Sequence, residues 1–111
     1  MRKEDLELYF EKIQFDKERK VGFSVLQSIQ EQHSHTFPFE NLNPLLEIPV
    51  RLDIESLSKK FLHEHRGGYC YEQNLFLKHV LETIGFKVRG LHARVYTEGK
   101  INGRTHMILL V

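Results

Sequence analysis

Apolar positions recur every three or four residues through about residue 84 and then alternate, so the chain reads as helices followed by strands. Leu6, Tyr9, Phe10 and Ile13 stand at helical spacing among charged residues, which predicts an amphipathic helix over 3–14. Phe23, Leu26, Ile29 and Gln30 mark a second helix over 23–35. His33 and His35 fall near its end. They read as solvated cations favourable to the helix dipole, because a metal pair on a helix prefers i, i+4 spacing. All three prolines lie in 36–50, which predicts an ordered loop or short strand. Phe37 and Phe39 need cover there, with Glu40 and Asn41 beside them, so the loop either lines a pocket or caps the core. Asp53 suits the N-cap of a helix over 54–64 whose apolar stripe is Ile54, Leu57, Phe61 and Leu62. Leu75, Phe76, Leu77, Val80, Leu81 and Ile84 are apolar on more than one face. A helix over 71–84 is therefore central and mostly buried, closed by Gly85.

The period changes at Phe86. Val88 is followed by Leu91, Ala93 and Val95, the last three alternating with polar or aromatic neighbours, which predicts a strand over 87–97. Asn102-Gly103 is a hairpin signal, and a strand over Thr105–Val111 follows. On that strand His106 shares a face with Ile108 and Leu110, while Met107, Leu109 and Val111 face the other way. Helices followed by strands define an α+β class.

Composition narrows the function classes. A chain of 111 residues with 41% apolar content suits one small domain with its own core. Sixteen basic and fifteen acidic residues, mixed along the chain, give a net charge of +1, so no surface is expected for nucleic acid. One cysteine cannot form an internal disulfide, the start lacks a signal-peptide pattern, and the longest apolar run, Met107–Val111, is far too short for a membrane. The expected location is the cytoplasm.

Candidate chemistry concentrates in Arg66-Gly67-Gly68-Tyr69-Cys70-Tyr71-Glu72-Gln73-Asn74. The two glycines permit positive φ and close backbone approach just before a helix begins, so Cys70 sits at a helix start. Orphan N–H groups and the helix dipole favour an anion there, which promotes the thiolate. The competing reading of Cys70 is a small buried hydrophobe. His106 divides similarly between a satisfied core residue and a catalyst that needs a nucleophile nearby. A zinc site of His63, His65 and Cys70 matches no standard spacing and lacks a fourth ligand, so no metal is expected.

The segment 66–74 resembles the nucleophile motif of the arylamine N-acetyltransferases nearly letter for letter. Pro38-Phe39-Glu40-Asn41-Leu42 upstream, Arg104-Thr105-His106-Met107 downstream and Tyr9-Phe10-x-x-Ile13 near the start extend the likeness to essentially the whole chain. The resemblance implies that Cys70 is acetylated by acetyl-CoA and that His106 is its acid/base partner in a cysteine-protease-like arrangement. It implies that Phe39 lines the acceptor pocket and that Arg66 pairs with Glu40 to hold the active-site loop; Val95, on the inward face of its strand, is a second pocket wall. The acceptor class is a small arylamine or hydrazine, and the kinetics ping-pong. The implied architecture is a helical domain over 1–85 followed by the first strands of a β-barrel over 86–111, incomplete at its C-terminus. The family's triad aspartate lies beyond Val111, since Asp5, Asp16 and Asp53 all precede the cysteine. The expectation is a fragment with impaired turnover. The alternative is an inactive remnant acting as an interaction module, its apolar last strand leaving an open edge suited to self-association.

Overall fold

The computed structural model of the chain describes residues 1–40, 51–93, 96–97, 100–101 and 106–111. Among the described residues four α-helices run in order, α1 (Lys3–Lys12), α2 (Phe23–Thr36), α3 (Ile54–Ser58) and α4 (Cys70–Thr83), and a π-helical turn over Lys59–His63 extends α3. Strands β1 (Arg89–Ala93), β2 (Tyr96–Thr97), β3 (Lys100–Ile101) and β4 (His106–Leu110) follow, so the class is α+β. β1 pairs antiparallel with β4, from Arg89 opposite Leu110 to Ala93 opposite His106, and β2 pairs antiparallel with β3. The Asn102-Gly103 hairpin signal and residues 41–50 lie outside the described residues.

α4 is the element on which the others converge. Phe76, Val80 and Leu81 are fully buried and Leu77 nearly so. Its C-terminus closes by two bonds, from the Gly85 N–H to the Glu82 carbonyl and from the Phe86 N–H to the Leu81 carbonyl. That motif needs a left-handed residue, which Gly85 supplies at φ 115°. α1 ends in the same way, with Gln14 in the left-handed position. Asp53 caps α3 by accepting the Ser56 N–H at 3.0 Å.

An aromatic core joins the helices. Tyr9 stacks on Phe37 with ring centres 5.8 Å apart, Phe61 stacks on Phe76 at 4.9 Å, and Phe37 meets Phe61 edge-on. The offset and edge geometries suit the ring quadrupoles, and each adds about 0.5–1.5 kcal/mol beyond burial. Leu6 and Ile13 complete the α1 face expected from its spacing.

Three expectations are corrected here. The buried face of α2 is Val25, Ile29 and His33, while Phe23 is 79% exposed. The i, i+4, i+8 stripe was hidden because its third member is a histidine. Phe37 is buried but Phe39 is 68% exposed. Two positions apart in a regular strand, the two side chains would share a face. Here Phe37 is the C-cap of α2 and only Phe39 enters the bridge to Gly68, so the segment is not one regular strand through both and their cover differs. The predicted helix over 54–64 changes to π geometry at Lys59, where the Glu64 N–H bonds back to the Lys59 carbonyl. A wider turn rotates less per residue, which lets Lys60, Phe61 and Leu62 in succession face inward.

Candidate active site

Cys70 is the first residue of α4 and is 9% exposed. The loop before it packs against the extended segment around Pro38: the Glu40 N–H donates to the Gly68 carbonyl at 3.0 Å and the Gly68 N–H to the Pro38 carbonyl at 3.3 Å. The contact sets the need for glycine. A Cβ on Gly67 would lie 1.7 Å from the Pro38 oxygen, an impossible distance. Neither Gly67 nor Gly68 has a positive φ, so of the two roles expected from the sequence it is close approach, and not the left-handed conformation, that accounts for them.

Charges bind the same pieces. Arg66 Nη2 donates to Glu40 Oε1, and the Gly67 N–H donates to Glu40 Oε2 at 3.3 Å. Lys60, buried on the π-helical turn, donates to Glu72 Oε2 at 2.7 Å and lies 3.8 Å from Glu40 Oε1. Glu72 is 2% exposed and also accepts the Tyr69 N–H at 3.3 Å, capping the helix that Cys70 begins. Two cations therefore meet two carboxylates around the entry to α4. Burial, and then the charge of Glu72, hold the Tyr69 phenol above its usual range.

Gln73 makes the third set of contacts. Its Nε2 donates to the Pro38 carbonyl at 2.9 Å and to the Phe37 and Gly68 carbonyls at 3.3 Å each. Its Oε1 is 2.8 Å from His33 Nε2, and His33 Nδ1 is 2.8 Å from the Tyr9 hydroxyl. His33 is 5% exposed, and burial pushes it down to about 4 against a smaller upward pull from Gln73. It is neutral at neutral pH, not the solvated cation expected from its place near a helix end. Burial also raises the Tyr9 phenol, which stays protonated.

Asn74, one helical turn from Cys70, donates to the Met107 carbonyl, so β4 is tied to α4 at the residue next to His106. Met107 and Leu109 face the core, and Ile108 and Leu110 are 45% and 55% exposed. The backbone of His106 opens β4; its side chain and all of Val95 lie outside the described residues. A groove of about 700 Å³ opens between α2, α4 and β4, with Gln73, Asn74 and Met107 in its walls and Phe39 beside them. Cys70 does not line it. His63 bonds to Asp5 at 3.1 Å and His65 to Lys12 at 3.1 Å, so these two histidines face other partners than Cys70.

Tyr9, His33, Lys60, Glu72 and Gln73 were not singled out from sequence as site residues. Gln73 and Glu72 lie inside the motif and could have been flagged. Lys60 and His33 gave no signal, since each reads as an ordinary surface polar residue until its partner is placed.

A cysteine at the start of a buried helix, with a histidine-bearing strand tied one turn along, offers the components of acyl transfer through sulfur. Residues 23–111 match the sequence model of a family described as N-acetyltransferase. The arylamine N-acetyltransferase of Mycolicibacterium smegmatis is 40% identical over 112 residues, covering 96% of this chain and 41% of that protein. The structure of arylamine N-acetyltransferase from Salmonella typhimurium is similar with a TM-score of 0.89 at 33% identity, covering 98% of this chain and 40% of that one. An arylamine N-acetyltransferase from Bacillus cereus, described as having a unique Cys-His-Glu catalytic triad, has a TM-score of 0.83 at 28% identity, covering 98% and 44%. The chain belongs to the arylamine N-acetyltransferase family. It spans about two fifths of the length of these relatives.

No helix among the described residues is long and apolar enough to cross a membrane.

Proposed function

We propose that this chain carries the acetyl-accepting half of an arylamine N-acetyltransferase site, with Cys70 as nucleophile and His106 as its proton partner. The observation that carries this is the join between α4 and β4: Cys70 opens the helix, and Asn74, one turn along, holds the Met107 carbonyl beside His106.

In this reading the Cys70 thiolate attacks the carbonyl carbon of the acetyl-CoA thioester. The carbon–sulfur bond to CoA breaks, and the departing CoA thiolate takes the proton held by His106. The acyl group stays activated, because one thioester has replaced another. An arylamine or hydrazine nitrogen then attacks the acetyl-cysteine, His106 accepts the N–H proton, and the Cys70 sulfur leaves as an amide forms. The two half-reactions make the kinetics ping-pong. Arg66 and Glu40 hold the loop that delivers Cys70. Phe39, exposed beside the groove, offers a ring face to the aromatic acceptor. Val95 stands as the second wall. Residues 1–85 form the helical domain and 86–111 the opening strands of a β-barrel.

The third member of a triad is a carboxylate, and no aspartate follows Cys70 in the chain. The relative with a Cys-His-Glu triad shows that the family tolerates glutamate there. Among the glutamates after Cys70, Glu72 is committed to Lys60. An unsupported histidine loses tautomer control, which in a serine protease triad costs about 10⁴ in rate.

Intact-mass analysis after incubation with acetyl-CoA tests the reading. One acetyl group per chain is expected, mapped to Cys70, absent in Cys70→Ala and slowed in His106→Asn. Acetyl uptake by Cys70→Ala at the wild-type rate, or none by the wild type, would overturn the assignment.

A further inference from the structure

The direction of every hydrogen bond from Tyr9 to the nucleophile loop follows from one fact. Gln73 places one end of its amide on three backbone carbonyls, those of Phe37, Pro38 and Gly68, which accept only. That end must be the NH2 group. The other end is then the oxygen, which faces His33 Nε2 at 2.8 Å, so His33 carries its proton on Nε2. Its Nδ1 is consequently an acceptor, and the Tyr9 hydroxyl donates to it. The chain of donors is Tyr9 to His33 to Gln73 to the loop. A proton on His33 Nδ1 instead would turn the ring to face Gln73 with a lone pair, and the amide would flip its oxygen onto the carbonyls.

We propose that Gln73 is the positioning residue of the nucleophile loop and that Tyr9 and neutral His33 act through it by fixing which way its amide points. The three carbonyls belong to the two backbone segments whose contact seats Cys70. Phe37 is pinned in the aromatic core, so the Gln73 amide transfers the position of the core to Gly68, two residues before the cysteine. Acyl transfer through sulfur needs the thiol held in a near-attack geometry, and small displacements are costly. The consequence for transfer rests on Cys70 being the nucleophile. The positioning itself does not.

The test reads both parts separately. The Glu40 and Gly68 amides bond across the contact, so their hydrogen exchange reports it directly. Gln73→Glu keeps the size and still accepts from His33, but cannot donate to carbonyls. Its expected result is exchange at Glu40 and Gly68 faster by about tenfold, with the amides in the middle of α1 and α2 unchanged. Tyr9→Phe keeps the ring in the core and removes the donor to Nδ1, freeing the His33 tautomer; a smaller acceleration of the same two amides is expected. His33→Leu should match Gln73→Glu, and His33→Gln, which restores a donor toward Gln73, should return exchange toward wild type. Acetylation of Cys70 should fall in the same order. Wild-type exchange at both amides in Gln73→Glu and in Tyr9→Phe would overturn the proposal, as would His33→Gln behaving like His33→Leu. Changed exchange with no acetylation of even the wild type would leave the positioning intact and reject Cys70 as nucleophile.

Discussion

His33 shows what a single side chain can hide. By sequence it is a polar residue near a helix end; in the fold it is a neutral hydrogen-bond conduit between residues 24 and 40 positions away. Burial makes this ring costly to charge. The unfolded chain binds a proton on this ring near the ordinary value of 6.5, whereas the folded protein resists until about 4. Between those values the unfolded state holds more protons, so stability is complete above the upper value and falls as pH drops toward the lower one. The loss amounts to about 3 kcal/mol across the window. Urea denaturation at several pH values should show this slope in wild type and a shallower one in His33→Gln, which has nothing to protonate. An unchanged slope in that variant would assign the acid sensitivity to other groups. Phe37 and Phe39 make a related point, because both were legible as apolar but only the placed backbone, with Phe37 at the C-cap of α2, decides which one enters the core.

The helices differ in how far the sequence disclosed them. α1 and α4 were readable because their apolar residues are long, numerous and regularly spaced. The face of α2 was misread because a histidine occupies the third buried position. The π-helical turn after α3 left no mark on the periodicity, and with it went Lys60, which looks like one more surface lysine beside Lys59. Its burial makes sense only with Glu72, on another helix, in place. Removing one partner of such a pair leaves a buried charge uncompensated, at a cost of about 3–5 kcal/mol. Lys60→Met should therefore be strongly destabilising. Lys60→Met combined with Glu72→Gln should recover much of the loss, because the neutral amide can still accept from the Tyr69 N–H that Glu72 caps. Equal destabilisation in the single and double variants, measured by urea unfolding, would show that packing around Lys60 matters more than its charge.

At the scale of the whole molecule, the helical part and the sheet meet along α4, and the chemistry proposed for the chain depends on that seam. The cysteine motif and the histidine strand were both legible, as short strings of unusual residues. Their closeness was not, since sequence gives no distance between residues 36 positions apart. Among the described residues, the side-chain bond from Asn74 to the Met107 carbonyl sets the height of β4 on α4, while buried Met107 and the core-packed Leu109 supply non-directional packing that would tolerate sliding. Asn74→Leu keeps the bulk and loses the bond. The expected outcome is a loss of about 1–3 kcal/mol from an unsatisfied carbonyl, faster amide exchange in β4 than in α4, and slower acetylation of Cys70. The ratio of the two exchange effects carries the information. If β4 loosens while α4 holds and acetylation falls with it, the helix supplies the nucleophile and the strand its partner. If acetylation is unchanged while β4 loosens, Cys70 takes its acetyl group without His106, and the strand serves only to cover the helix.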